Sequence, residues 1–155
     1  MAIALVREYL KKYGREKDII ELDDSSATVE LAALALQTSP AHIAKSMSFM
    51  GKENPLIIVC AGDTKIDNHK YKQFFGVKAK MLHGDEVEQY TNHQIGGVCP
   101  FAIPEQTKVY LDISMKRFDY IYPACGSANS AIRLSCDELE ALLPGCEWID
   151  VCKLI

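Results

Sequence analysis

Two short stretches of the chain hold residues whose type and placement could do chemistry. The first is Ala44-Lys45-Ser46, where a lysine heads an otherwise apolar run. An ammonium in apolar surroundings costs free energy unless it finds a partner. Two outcomes are open: the stem packs while the charged head reaches water, or the head is kept for a ligand. The second stretch is Ile95-Gly96-Gly97-Val98-Cys99-Pro100-Phe101. Adjacent glycines let a backbone expose successive N–H groups and approach a ligand closely, which suits an oxyanion or an ester carbonyl. The same residues also read as a tight turn. Gly126-Ser127 is either a third polar wall or a plain turn, and Asp112 is either a partner for Lys45 or a strand-end turn residue.

No established nucleophile motif accompanies them. G-x-S-x-G, H-E-x-x-H and G-x-x-x-x-G-K are all missing from the sequence. Cys99 is the rival nucleophile, yet no histidine is obviously placed to lower its pKa. The six cysteines show no C-x-x-C spacing and follow a start that turns charged too early for a signal peptide, so free thiols and a cytosolic address are expected. His42, His69, His83 and His93 are scattered with no ligand-like pairing to the cysteines, and neither metal nor cofactor is expected.

The totals narrow the classes further. A length of 155 residues, 48% hydrophobic and 25% charged, fits one soluble domain with its own core. The longest apolar runs, Pro55–Ala61 and Leu31–Leu36, are far short of a membrane span. A net charge of −4 argues against bulk binding of DNA or other nucleic acid. It leaves room for a local basic patch, because Lys65, Lys70, Lys72, Lys78 and Lys80 crowd together; a solvated face is the plainer reading.

The elements that must position these residues follow from periodicity. Ala2–Lys12 reads as an amphipathic helix ended by Gly14. Asp18–Leu22 is a short β-like run, and Thr28–Gln37 a helix with Ser26 near its N-cap. Ser39-Pro40 opens a further turn. Lys45–Met50 alternates and Leu56–Cys60 is continuously apolar, so the two form a hairpin across Gly51–Asn54. Asp67–Phe75 and Asp85–Thr91 are short helices, and His93–Pro104 is a loop. Lys108–Asp112, Tyr120–Pro123, Ala131–Leu134 and Trp148–Lys153 are strands. Ser135 and Glu138 form a capping box for the helix Asp137–Leu143. Without regular strand–helix alternation, the fold expected is α+β, one domain. Its sheet is expected to be strongly curved, barrel-like, mostly antiparallel or mixed, and surrounded by helices.

Taken in order, these segments resemble the YbaK and prolyl-tRNA-synthetase-associated editing domains. The resemblance rests on Ser26–Ala33 with Ile43–Phe49, on Gly76-Val77-Lys78-Ala79-Lys80-Met81, and on Gly96-Gly97-Val98-Cys99-Pro100-Phe101. Val109-Tyr110-Leu111-Asp112 and Ala124-Cys125-Gly126-Ser127, followed by Ile132–Leu134 and Glu138-Leu139, complete it from about residue 20 to 143. Cys99 stands where the family more often has Ser, and Tyr90–His93 lacks a Gly that often precedes the Gly-Gly loop.

The resemblance implies a trans-acting aminoacyl-tRNA deacylase. It implies Lys45 as the key functional residue, with Gly96 and Gly97 lining the aminoacyl pocket. Ser46, Val98, Cys99, Pro100, Asp112, Gly126 and Ser127 are expected beside the substrate. Lys45 would anchor the 3′ end of a mischarged tRNA, and amides near Gly97 and Val98 would hold the ester carbonyl. Cys- or Ala-tRNA-Pro is the first substrate expectation, with Ser and Thr behind, and prolyl-tRNA synthetase is a possible partner. Two rivals stay open: a non-catalytic module binding tRNA or a synthetase, and an esterase acting on small aminoacyl esters.

Overall fold

The apolar run of residues 55–61 is the organising element, because a strand apolar at every position must be covered on both faces. The computed structural model describes residues 2–155. Its helices are α1 (Ala2–Lys11), α2 (Val29–Leu36), α3 (Asn68–Phe75), α4 (Gly84–Thr91) and α5 (Cys136–Ala141). Its strands are β1 (Ile20–Glu21), β2 (Ile43–Met50), β3 (Pro55–Ala61), β4 (Thr64–Ile66), β5 (Lys108–Asp112), β6 (Tyr122–Pro123), β7 (Ser130–Ala131), β8 (Glu147–Ile149) and β9 (Cys152–Leu154).

All seven residues of β3 are buried. Ile57, Val59 and Ala61 face one core, closed by Val6 and Leu10 of α1 and Leu139 of α5. Leu56, Ile58 and Cys60 face a second core, closed by Tyr71 of α3 and Val151. The fold is α+β, as the sequence implies.

The central sheet runs β6-β2-β3-β5-β8, with β1-β7 and β4-β9 as separate two-stranded sheets. Only β2–β3 is antiparallel within it; β2–β6, β3–β5 and β5–β8 are parallel. The sheet is thus mixed, the second of the two forms expected. The hairpin connection forces one antiparallel pair, but β5 returns only after a long crossover carrying α3 and α4, which permits parallel pairing. Among the described residues the sheet is open rather than closed into a barrel.

Two further differences have local causes. Helix α2 starts at Thr28, whose hydroxyl accepts from the Leu31 amide at 3.1 Å. Ser26 is held outside it because its own amide donates to the Ala128 carbonyl at 2.5 Å. The final strand breaks in two where the Val151 amide leaves the ladder to donate to the Asp112 carboxylate at 2.9 Å. The capping box is present as expected, with Ser135 and Glu138 each accepting the other's amide. Among the described residues no helix is long and apolar enough to cross a membrane.

Candidate functional site

Every strand has two edges whose N–H and C=O groups must find partners. Strand β3 covers one edge of β2 along its whole length. Among the described residues the other edge is covered in two places only. At one end β6 pairs with Ile43 and Ala44. At the other, the Met50 amide donates to the Lys80 carbonyl at 2.9 Å and the Leu82 amide donates to the Ser48 carbonyl at 3.1 Å. Residues 45–47 lie in the gap between.

A cavity of about 290 Å³ opens there. The β2 residues 43–48 form its floor, and Val29, Ala32 and Leu36 of the α2 region one side. Met81, Leu82 and Val87 form another side, while Ile95, Gly96 and Val98 close the third. Tyr122, Ala124, Ser130 and Ala131 complete the wall.

Lys45 stands in register with Cys60, and its ammonium donates to the Thr64 carbonyl at the start of β4. Among the described residues no carboxylate lies within ion-pairing distance of it. The nearby Asp63 is already engaged: Arg117 reaches its two oxygens at 3.0 and 2.6 Å and holds its carboxyl below the usual range. Lys45 is therefore a half-buried cation at a cavity, satisfied by one neutral carbonyl. Such a charge favours an incoming anion or polar oxygen.

The glycine loop divides its labour. Gly96 has φ +95° and lines the cavity. Gly97 faces away from it: a Cβ there would sit 2.9 Å from the Ser127 Cα and 3.0 Å from its N and C, so only glycine lets the two loops touch. The Gly97 amide donates to the Gln94 carbonyl at 3.0 Å, which corrects the expectation that it is free to hold a substrate carbonyl. Among the described residues the amides of Gly96 and Val98 have no backbone partner.

Several expected pocket residues lie outside the cavity lining. Gly126, at φ +91°, packs against the Ala2 carbonyl and Val6 of α1. The Ser127 hydroxyl donates to the Asn129 side-chain oxygen at 2.9 Å or the Ser130 hydroxyl at 2.7 Å. Together they brace the back of the glycine loop. Asp112 is 1% exposed and accepts from the Ser114 and Val151 amides, both at 2.9 Å, so it is the strand-end turn residue and not a partner for Lys45. Pro100 belongs to a separate hollow with Tyr9 and Ile103.

Cys99 has a histidine beside it that spacing did not reveal. Its sulfur lies 3.4 Å from His93 Nε2, and both side chains are fully buried. That same nitrogen is 2.7 Å from the Phe101 carbonyl, so it carries the proton and donates. A nitrogen already protonated cannot take a proton from the thiol. Burial pushes the Cys99 thiol up to about 12 and holds His93 below its usual range. The pair is a packing feature.

Sequence reasoning missed Tyr122, Met81, Ser130 and the α2 side chains, because five separated segments bring them together. Ser26 lines the cavity rather than capping α2, and its hydroxyl, like that of the cavity residue Ser46, is buried with no hydrogen-bond partner among the described residues. Among the described residues no group of three or more His, Cys, Asp or Glu gathers around a common point.

Comparison with known proteins places this geometry among relatives. The sequence profile of the aminoacyl-tRNA editing domain matches residues 23–142. The uncharacterized protein YwhH of Bacillus subtilis is 50% identical over 154 residues, 99% of this chain and 98% of that one. EbsC of Enterococcus faecalis, described as a candidate Cys-tRNA(Pro)/Cys-tRNA(Cys) deacylase, is 25% identical over 146 residues, 93% of this chain and 88% of that one. A crystal structure described as a candidate trans-editing enzyme for prolyl tRNA synthetase superposes with a TM-score of 0.88 at 25% identity, covering 98% of this chain and 97% of that one.

Two predictions follow from the loop. Gly97→Ala forces a Cβ into the Ser127 backbone and lowers stability by about 1–3 kcal/mol, read as a drop in Tm; an unchanged Tm would show that the loops are not in contact. At neutral pH iodoacetamide leaves Cys99 unmodified in the folded chain, and Cys99→Ala keeps whatever deacylation the wild type shows. Labelling of Cys99 ahead of global unfolding, or an inactive Cys99→Ala, would restore it as a nucleophile.

Proposed function

The chain belongs to the aminoacyl-tRNA editing domain family, and from that premise we propose that it is a free-standing deacylase that hydrolyses mischarged tRNA. One observation carries the reading: Lys45, whose ammonium has no carboxylate partner among the described residues, lines a small, mostly apolar cavity that opens at the gap in β2. The match to EbsC, which spans 93% of this chain and 88% of that one, supports the same class of activity here.

The reaction suits so spare a site. Hydrolysis joins a water oxygen to the acyl carbon, breaks the ester bond to the ribose, and returns a proton to the departing ribose oxygen. An aminoacyl ester is already activated, so positioning and stabilisation of the oxyanion are most of what is needed. The cavity wall carries no Asp, Glu, His or Cys that could act as a general base. The substrate's own hydroxyl, amine or thiol is left to assist proton transfer. Lys45 supplies the anchor, a flexible point charge suited to a phosphate or hydroxyl of the terminal adenosine.

Cavity size and lining support a small substrate side chain. A volume of about 290 Å³ walled by Val29, Ala32, Leu36 and Val87 suits a small side chain such as that of Cys or Ala. A synthetase cannot reject such near-isosteres by binding alone, since a methylene is worth only about 1–3 kcal/mol. A second reading has its own observation: the unpartnered hydroxyls of Ser26 and Ser46 would pair with the hydroxyl of Ser or Thr. Prolyl-tRNA synthetase is the partner that the likeness to the trans-editing enzyme suggests.

The tRNA backbone also has a place to lie. Lys65 on β4 stands directly opposite Lys153 on β9, and both are exposed. Like charges facing across a strand pair are destabilising. Among the described residues neither has a carboxylate within ion-pairing distance. Thr64, next to Lys65, is the residue whose carbonyl the Lys45 ammonium reaches, so the lysine pair begins one residue from that contact. Lys70 is not part of it, being tied to Asp150 at 3.0 Å.

Lys45→Ala should reduce deacylation of Cys-, Ala-, Ser- and Thr-tRNA-Pro by at least about 100-fold, some 2.7 kcal/mol of transition-state stabilisation, with Tm little changed. Near-normal turnover would refute the anchor role. Binding of tRNA alone should be weak and salt-dependent. Lys65→Ala and Lys153→Ala should each reduce the log–log salt slope by about 1; tight, salt-insensitive binding would contradict this role of the lysine pair.

A further inference from the structure

The gap in β2 leaves more than side chains facing the cavity. Along a strand, the N–H and C=O of alternate residues point to the same edge. Ser48, through its carbonyl, and Met50, through its amide, bond outward to Leu82 and Lys80. On the β3 side it is Gly51 that closes the hairpin, its amide donating to the Asn54 carbonyl at 2.9 Å. Even-numbered residues therefore present their backbone groups outward, and Ser46 is the even-numbered residue within the gap. Strand β6 ends opposite Ala44, and the flanking segment begins at Ser48. Among the described residues no partner reaches the outward N–H or C=O of Ser46. Ser46 is thus the residue of this edge whose N–H and C=O are both open at the cavity.

An unpaired donor and acceptor, side by side on a strand edge, are a template for a further strand residue. An aminoacyl ester has the same skeleton as such a residue: an amine, an α-carbon with its side chain, and a carbonyl. We propose that the Ser46 backbone is the aminoacyl subsite. Its C=O accepts from the substrate's α-ammonium and its N–H donates to the ester carbonyl, so the bound amino acid fills the gap as a one-residue strand.

This inference rests on the deacylase reading and deepens it. Strand alternation places the Lys45 side chain on the opposite face of β2 from that of Ser46, so the cation and the backbone pair act on different parts of the substrate: Lys45 on the nucleotide, Ser46 on the acyl group. The N–H meets the carbonyl oxygen where negative charge grows during attack, the place where a fixed donor helps most. It also takes over the task expected of Gly97, whose amide is engaged by Gln94. With both ends of the skeleton fixed, the direction of the substrate side chain is fixed too, which ties recognition to the α-amine and to one hand of the α-carbon.

Proline can delete this donor selectively. The Ser46 N–H lies outside the β3 ladder, and an edge position whose amide faces away from the neighbouring strand tolerates proline. The probes are 3′-deoxy-3′-(alanylamino)adenosine, an amide that cannot be hydrolysed as the ester is, and its 3′-propionylamino counterpart, which lacks the α-amine. Calorimetry on the full chain should show the alanyl compound binding wild type at least about 10-fold more tightly than the propionyl one. Ser46→Pro should lose about 100-fold in kcat/KM on Ala-tRNA-Pro, the loss typical of one oxyanion donor. Ser46→Ala, which keeps the N–H, should lose far less than Ser46→Pro.

Equal binding of the two compounds to wild type overturns the subsite, and needs no variant to fold. A folded Ser46→Pro that matches Ser46→Ala in binding and turnover overturns it as well. Amine-dependent binding by a wild type that hydrolyses no aminoacyl-tRNA would leave the subsite standing and remove the deacylase reading instead.

Discussion

A cation and an unpaired strand edge have to be kept beside an apolar cavity without either being smothered. That constraint shapes the rest of the molecule. Left alone, an open edge pairs with any passing chain, and a half-buried ammonium draws in the nearest carboxylate. Here β3 fixes β2 from one side, while β6 and the 80–82 segment clamp the other side above and below the gap. The acidic residues nearby are committed elsewhere, Asp63 to Arg117 and Asp112 to two backbone amides. The cavity stays open because its neighbours already have partners.

The glycine loop is held in the same spirit. Gly97 touches the Ser127 backbone, Gly126 rests on α1, and Ser127 ties back to Ser130 on the cavity wall. Buried beneath, His93 and Cys99 fasten the loop through the Phe101 carbonyl. Of the two adjacent glycines, Gly96 is the one presented to the cavity. A rigid support behind a small exposed surface is what a site needs if positioning is to do most of the chemistry.

Local order was legible in the sequence wherever period and punctuation agreed. The β2–β3 hairpin, β5, α1, α3 and the Ser135 capping box all lie close to where alternation, apolar spacing and turn residues put them. What periodicity cannot carry is pairing between distant segments. The parallel joins of β5, β6 and β8 were invisible for that reason, as was the splitting of the final strand by an Asp112–Val151 bond. Strand β4, three residues long, is too short to show a period at all.

The site was legible in the same uneven way. Lys45 stood out because a lysine in an apolar strand is anomalous, and Gly96 because paired glycines are. Gly97, Gly126, Ser127 and Asp112 carry equally distinctive residue types but serve as supports, a difference visible only in their contacts. The open backbone of Ser46 has no sequence signal, since every residue has an N–H and a C=O. The central claim, that the aminoacyl end of a tRNA enters the gap in β2 between Lys45 and Gly96, is tested most directly by a crystal structure. The ligand would be a short acceptor-stem hairpin ending in CCA and carrying amide-linked alanine. The account predicts the acyl group within the cavity over residues 45–47 and the terminal nucleotide against the Lys45 ammonium. An acyl group seated instead in the hollow beside Tyr9 and Pro100, with the gap in β2 empty, would contradict it.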